Sequence, residues 1–346
     1  MNAKSAEIRA LAESLLAATD CPVVHCRILA DVLRLPQDHP RLQAERRRLG
    51  SSRQVQALLQ EQQTDGSWDR FHSQDTRLKQ VIRTTEMGVE RAFQLGLGSW
   101  HPRIKRTRDY LVELLSGRIE FPDPPERNAR WGTGVQLFTA SNLARLDPQH
   151  KLLKPVRELW REIAMRTFLT DTYDEAAETQ AHTELTAAPV KDSYLVIRNK
   201  YALNLLGSQA GTLPAKIEGV LLAWLWSHPE GIGYIGVPLF ANPETLSVGE
   251  FERWFASLEL LSAGFPTWVK FASTSMAWLW DQRALDGLWD FGPRSERSDV
   301  LPLSDHWRAP RNRKIDWSTR TLCLFTCYYQ TLEQYGSIDH FQNNLE

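Results

Sequence analysis

A Leu- and Trp-rich apolar run that stops at an acid–glycine pair, with an aromatic two or three residues further on, occurs three times in this 346-residue chain. The occurrences are Leu58 to Trp68 (LLQEQQTDGSW), Leu225 to Tyr234 (LWSHPEGIGY) and Leu279 to Trp289 (LWDQRALDGLW). The acid–glycine pairs are Asp65-Gly66, Glu230-Gly231 and Asp286-Gly287, and the aromatics are Trp68, Tyr234 and Trp289. A helix that carries its apolar stripe up to a glycine ends in a left-handed cap, a conformation that a residue with a Cβ adopts only at a cost. The aromatic beyond the cap can fold back on the stripe and pin the turn. Units of this kind cannot bury their apolar faces alone and must stack on one another. Three unrelated helix ends with common cap chemistry would leave the same trace.

The rest of the chain is read as helices between such turns. Residues 4 to 35 form a helical pair, with Ser5 to Leu16 first and Asp20 and Pro22 opening the second. Arg41 to Arg48 is a charged, solvated segment. Helices are predicted over Gln54–Gln63, Thr76–Gly96, Pro102–Ser116, Thr133–Leu146, Pro155–Phe168, Asp171–Thr186 and Tyr194–Leu206. Leu213–Ser227, Ser247–Ser262, Pro266–Trp280 and Trp317–Tyr335 follow. Period-2 alternation is almost absent, so no sheet is expected, and the total is about thirteen helices, near the dozen of a closed ring of six hairpins. The connection from Asp290 to Asp316 is long enough to serve as a lid or binding segment.

Thirteen Trp residues, several in doublets with one residue between (Trp224 and Trp226, Trp278 and Trp280) that point in different directions on a helix, suggest helices packed on two sides or lining an aromatic cavity. The net charge of -1 gives no electrostatic reason to expect nucleic acid. No run is long enough to span a bilayer and the N-terminus lacks a secretory core, which leaves at most peripheral membrane contact. Cys21, Cys26, Cys323 and Cys327 show no zinc spacing and read as reduced thiols of a cytoplasmic protein.

With those residues in view, QEQQTDGSW and its echoes resemble the Gln–Trp repeat of squalene–hopene cyclases and other class II terpenoid cyclases. Arg130-Trp131-Gly132 with Phe138-Thr139-Ala140 is similar to a Trp-Gly segment of those enzymes. Ile315-Asp316-Trp317-Ser318-Thr319 resembles the segment that closes their ring, which in protein prenyltransferase β-subunits carries a zinc-ligating histidine. The resemblance spans roughly residues 50 to 335. It implies an all-α fold, an α/α toroid of about six helical hairpins over residues 51–346, with residues 1–50 as N-terminal helices packed on the ring, one structural domain overall. It also implies a central aromatic-lined cavity for an isoprenoid or similar apolar chain. Two departures matter. The Asp-x-Asp-Asp acid of the cyclases is missing, and Ser318 stands where the prenyltransferases have their histidine, so no zinc is expected.

The strongest local constellation is Asp171, Tyr173, Asp174, Glu175, Glu178 and His182. On a continuous helix, 171, 174, 175, 178 and 182 share one face, where like charges repel. Asp171, Asp174 and Glu178 could hold Mg²⁺ against a diphosphate, and Asp171, Asp174 and Glu175 are candidate catalytic carboxylates. The same pattern suits an acidic helix start that complements the dipole. The second constellation is Asp305 and His306, as candidate catalytic groups, with Arg308, Arg311 and Arg313, whose guanidinium forks suit a phosphate or carboxylate. An exposed basic loop would look alike. His72 and Asp75 follow the first corner and could face a cavity mouth; in the other reading Asp75 or Thr76 simply caps the next helix. Trp131, Phe138, Tyr173, Trp224 and Trp278 are the candidate aromatic lining, although large helical cores use such rings as filling.

The expected activity is therefore that of a terpenoid cyclase- or prenyltransferase-like protein. The alternatives are a toroid that kept the ring and lost the chemistry, and a carbohydrate-active toroid with paired carboxylates across an open groove.

Overall fold

The computed structural model describes residues 3–73, 77, 79–127, 130–186, 195–295 and 302–342, with side chains through Gln334. Among these the protein is all-α, with fourteen α-helices and no strand. In chain order they are α1 (Ala3–Ala18), α2 (Pro22–Arg27), α3 (Pro40–Arg48), α4 (Arg53–Gln60), α5 (Thr85–Gln94), α6 (Pro102–Leu115) and α7 (Trp131–Leu146). The second half holds α8 (Leu153–Thr167), α9 (Glu175–Thr186), α10 (Lys200–Gly207), α11 (Ala215–Ser227), α12 (Val248–Gly264), α13 (Val269–Asp281) and α14 (Pro310–Gln342). No described helix is long and apolar enough to cross a membrane.

The chain divides into two compact units. One joins Met1–Gln56 to Trp268–Glu346, and the other is Ala57–Thr267. The N-terminal helices thus share a unit with the last two helices. In the first unit α14 packs on α1, α2 and α13, and residues 315–322 of α14 are buried on every side. Threonines survive there because each hydroxyl turns back to the carbonyl one turn earlier, Thr319 to Ile315 and Thr321 to Trp317, both at 2.8 Å. In the second unit α7 is the centre, contacted by α5, α6, α8 and α10, and its residues 137–144 are all buried.

The first and third corners are built alike. Gly66 and Gly287 are left-handed, at φ 99° and 79°. Trp68 and Trp289 are fully buried, and each indole Nε1–H donates to the carbonyl ten residues earlier, Leu58 at 2.9 Å and Leu279 at 2.6 Å. The backbone bonds repeat as well: Gln63 N to Ser67 O and Ala284 N to Leu288 O, both 2.9 Å. In each the backbone N–H of the Trp is received by a hydroxyl on a helix, Thr85 of α5 at 3.0 Å and Ser318 of α14 at 2.9 Å. The second corner departs. Gly231 is left-handed at φ 59°, but so is Tyr234 at φ 70°, and Tyr234 stays 44% exposed instead of folding back on the stripe.

Candidate functional site

Two helix starts in the unit 57–267 bring ionisable groups together. After the first corner the chain is held by Asp123, whose carboxylate accepts the backbone N–H groups of Phe71, His72 and Ser73 at 2.6, 2.9 and 2.6 Å. Thr84 caps α5 by accepting from Met87 N at 3.2 Å, which places Glu86 in the first turn. Asn199 caps α10 by accepting from Ala202 N at 2.8 Å, so Lys200 and Tyr201 open that helix. Isolated bridges, Arg70 with Thr84 and Asn199 with Gly233, tie both caps to corner segments.

Glu86 is the hub. It accepts from His72 Nδ1 at 2.8 Å, from the Tyr201 hydroxyl at 2.6 Å and from Lys200 Nζ at 2.8 Å. Burial alone raises its carboxyl, but the Lys200 charge and the hydrogen bond and charge of His72 outweigh it and hold the group well below its ordinary value of 4.5. Burial likewise lowers the Lys200 ammonium, and Glu86 more than restores it, above its ordinary 10.5. Burial and then the Glu86 charge push the Tyr201 phenol well above 10, so it remains a donor. Because an ionised carboxylate only accepts, the proton between His72 and Glu86 sits on Nδ1, and Nε2 is the ring's basic nitrogen.

Aromatic rings surround this imidazole. Phe138 of α7 stacks on His72 with centroids 4.6 Å apart and an interplanar angle of 15°. Tyr201 and Tyr234 meet it edge-on, both at 5.9 Å. Two of the sequence candidates, His72 and Phe138, are therefore in contact. Glu86, Lys200 and Asp123 were not anticipated. The signal for the first two was the capping residue just ahead of each, Thr84 and Asn199; Asp75 and Thr76, the caps expected instead, lie outside the described residues.

The acidic constellation does not assemble. Asp171 is not helical: its φ of 63° ends the turn after α8, and its exposed carboxylate pairs with Lys216 at 2.8 Å. Asp174 caps α9, accepting from Ala177 N at 2.9 Å. Glu175 is exposed. Glu178 turns inward, 2% exposed, and accepts from the Tyr173 hydroxyl at 2.8 Å and from Ile197 N at 2.5 Å, with His182 Nε2 at 3.6 Å. The stacked face expected of one helix is broken at its first turn, and three carboxylates with three separate tasks do not fit a Mg²⁺ ion. Among the described residues no group of three His, Cys, Asp or Glu is placed to hold a metal.

The basic segment is also engaged internally. Asp305 accepts from the Ser52 hydroxyl at 3.1 Å and from Gln54 N at 3.3 Å, at the start of α4. His306 is exposed, and its carbonyl receives Ala309 N and Asn312 Nδ2. Arg308 lies over the Trp307 ring at 4.8 Å, Arg311 donates to Ala18 O at 2.8 Å, and Arg313 forks onto Asp290 with two bonds of 2.8 Å. Asp305 and the arginines thus tie loops and helix ends together, and no anion cradle forms from them.

The remaining aromatics are dispersed. Tyr173 stacks face to face on Trp224 at 4.0 Å, Trp131 meets Phe121 edge-on at 5.7 Å, and Trp278 stacks on Phe291 at 6.3 Å. Two open hollows occur in the unit 57–267. One of about 520 Å³ lies among Leu114, Gly132, Gln136, Thr139, Leu159 and Leu185, and one of about 750 Å³ lies beside Tyr173, Asp174 and Glu175. Neither is an aromatic chamber. The four cysteines form no disulfide, and burial pushes Cys21 up to about 11 and Cys26 to about 12, away from nucleophilic use.

Comparisons with family models, curated proteins and solved structures find no match for this chain.

Proposed function

We propose that the chain is a terpenoid cyclase- or prenyltransferase-like toroid protein that takes an isoprenoid or similar apolar chain at the His72 site, with His72 as its acid–base group. The observation that carries the reading is an imidazole held through Nδ1 by Glu86 at 2.8 Å and stacked on Phe138 at 4.6 Å. A carboxylate behind Nδ1 fixes ring orientation and makes Nε2 the nitrogen that moves a proton. Phe138 and Tyr201 are buried behind the imidazole, and the exposed ring of Tyr234 is the aromatic face left for an apolar chain. The near-identity of the Trp68 and Trp289 corners supports the repeat behind the toroid resemblance. The reading is built without a metal, because Asp171 pairs with Lys216, Asp174 caps α9 and Glu178 accepts from Tyr173 and Ile197.

A second reading, a toroid that binds without chemistry, is favoured by the internal pairing of Asp171, Asp174, Glu178, Asp305 and Arg313. Titration calorimetry and product analysis with geranylgeranyl diphosphate, geranylgeraniol and squalene, each with and without Mg²⁺, separate the two. Binding with turnover that His72→Ala abolishes is expected. Binding that His72→Ala leaves unchanged, with no product, selects the scaffold. Failure of every probe to bind removes the isoprenoid reading.

A further inference from the structure

Cys323 and Cys327 stand four residues apart on α14, so their side chains share a face of the helix. In the same unit of the chain α14 packs on α2 and on the π-helical turn Ile28–Val32 that continues it. Two arginines bracket that turn and reach the sulfurs. Arg27 Nη2 lies 3.9 Å from Cys323 Sγ, and Arg34 Nη2 lies 3.4 Å from Cys327 Sγ. Arg27 also pairs with Asp31. Both thiols are half-buried and in no disulfide. The backbone between the arginines is uncommon twice over. Leu33 N donates to Ile28 O, five residues back, at 2.8 Å, and Arg34 follows in the left-handed region at φ 54°. Features of both kinds concentrate at functional sites.

A neutral thiol is a weak acceptor, and a guanidinium gains little from facing one. Arg27, Arg34 and Asp31, two cations and one anion, leave one positive charge beside the two sulfurs. A single negative charge on the sulfur pair would neutralise it. A free thiolate does not supply that charge, because burial outweighs Arg34 and keeps the Cys327 proton on, above the ordinary value of 9.0. An ion that binds thiolate sulfur supplies it by displacing the protons.

We propose that Cys323 and Cys327 form a two-coordinate site for Cu(I), with Arg27 and Arg34 neutralising the complex. Two thiols and one Cu⁺ give a bis-thiolate complex of charge -1 and release two protons, with no change of oxidation state. Soft thiolate ligands select Cu(I). Zn²⁺ completes four ligands in its structural sites, and among the described residues no third His, Cys, Asp or Glu joins this pair. Side chains one turn apart have Cβ atoms about 5–6 Å from each other, a gap that two inward-turned sulfurs can close on one ion. The site lies in the unit built from the chain ends, so it stands independently of the reading of His72.

The test is anaerobic titration of the reduced full chain against the Cu(I) complex of bicinchoninate, with X-ray absorption at the copper edge. Wild type is expected to take one Cu(I), to release two protons, and to show two sulfur neighbours. Excess Zn²⁺ is expected not to compete. Cys323→Ser and Cys327→Ser are each expected to lose the ion, while Cys21→Ser and Cys26→Ser keep it. Arg34→Asn, which retains the left-handed backbone, is expected to weaken binding several-fold, although removing a cation would tighten the hold on a simple positive ion. No uptake by wild type, uptake that survives either serine substitution at 323 or 327, or equal or tighter binding by Arg34→Asn overturns the proposal. If a serine variant fails to fold, the wild-type spectrum decides, and any sulfur count other than two rejects the site.

Discussion

Glu86 and Glu218 are both carboxylates in the first turn of a helix, and burial presses on both, yet they settle on opposite sides of their ordinary value of 4.5. Burial raises Glu218, and the N–H and hydroxyl of Thr267, at 2.8 and 2.7 Å, pull it back only in part. Glu86 has Lys200 and His72, and ends below. The signs for stability follow. A carboxylate depressed by folding stabilises above its unfolded value, and that contribution is lost as pH falls below about 4.5. A raised carboxylate binds its proton more tightly when folded, so stability declines as pH rises from 4.5 through the folded value. Glu86→Gln is expected to lower stability at pH 7 by about 1.5–3 kcal/mol, the scale of hydrogen bonds to charged groups, and to flatten the acid limb below 4.5. Glu218→Gln keeps the acceptor and removes the buried charge. It is expected to raise the Tm at pH 7 by a few degrees, the response of a unit this size to ~1 kcal/mol. Urea unfolding across pH 3 to 8 measures both, and curves parallel to wild type would refute the assignment. At this scale the sequence was partly legible. His72 and Phe138 stood out by position, whereas Asp174 and Glu178 looked alike on paper and differ because one caps a helix start and the other receives Ile197 N.

Glycines at the corners are a matter for whole elements, because the two alike corners meet different neighbours. A Cβ on Gly66 would lie 2.5 Å from the Arg106 backbone carbon in α6, and one on Gly287 would lie 2.9 Å from Leu11 Cδ2, the movable end of a side chain. Both substitutions carry the left-handed penalty of about 1–2 kcal/mol, but only Gly66→Ala must also push a helix away. Gly66→Ala is expected to destabilise by more than ~3 kcal/mol, in the range reserved for backbone and packing failures together, and Gly287→Ala by roughly 1–2. Equal losses in chemical unfolding would show that the corners are not held as described. Corner chemistry was readable because an acid before glycine and a Trp after it act locally. Helix starts were readable where the cap is local as well, as with Ser247, whose capping box with Glu250 opens α12. They were misplaced where a distant group intervenes. The apolar spacing of residues 76–96 continues through Val81 and Ile82, but Glu61 accepts both of their backbone N–H groups at 3.0 and 2.6 Å, so the helix waits until Thr84 can cap it. The long segment 290–316 shortens from its far end, since Pro310 opens α14 seven residues ahead of the Trp317 start expected from the apolar pattern.

For the molecule as a whole, the consequential feature is that one unit is made from the two ends of the chain. Lys4 and Arg283 both lie over the Trp280 ring, at 3.7 and 3.9 Å, and Arg283 also pairs with Glu7 at 2.5 Å. Arg311 of α14 bonds the carbonyl of Ala18 at the end of α1, and Asp305 holds the start of α4. None of these pairings has a local signature, because partners nearly 300 residues apart, such as Arg311 and Ala18, leave no period or spacing to read. α2 and α3 are only six and nine residues long, and α1 and α2 pack on α14, so helical propensity alone cannot hold this end of the chain. A chain ending after Asp281 is therefore expected to lose protection of amides 3–48 in hydrogen exchange, while amides of α7 and α10 remain protected. The unit 57–267 has its own core around α7, with Phe138, Leu143 and Trp160 almost wholly buried. A fragment spanning residues 50–267, which retains all of α4 and the carbonyl of Leu58 for Trp68, is expected to fold with its helical circular dichroism intact. His72 in that fragment is expected to react with diethylpyrocarbonate at the full-chain rate, since Glu86, Phe138, Tyr201 and Tyr234, the described partners of its ring, all belong to the same unit. A fragment that is unfolded, or one in which His72 reacts many-fold faster, would mean that the His72 site depends on the chain ends for its shape.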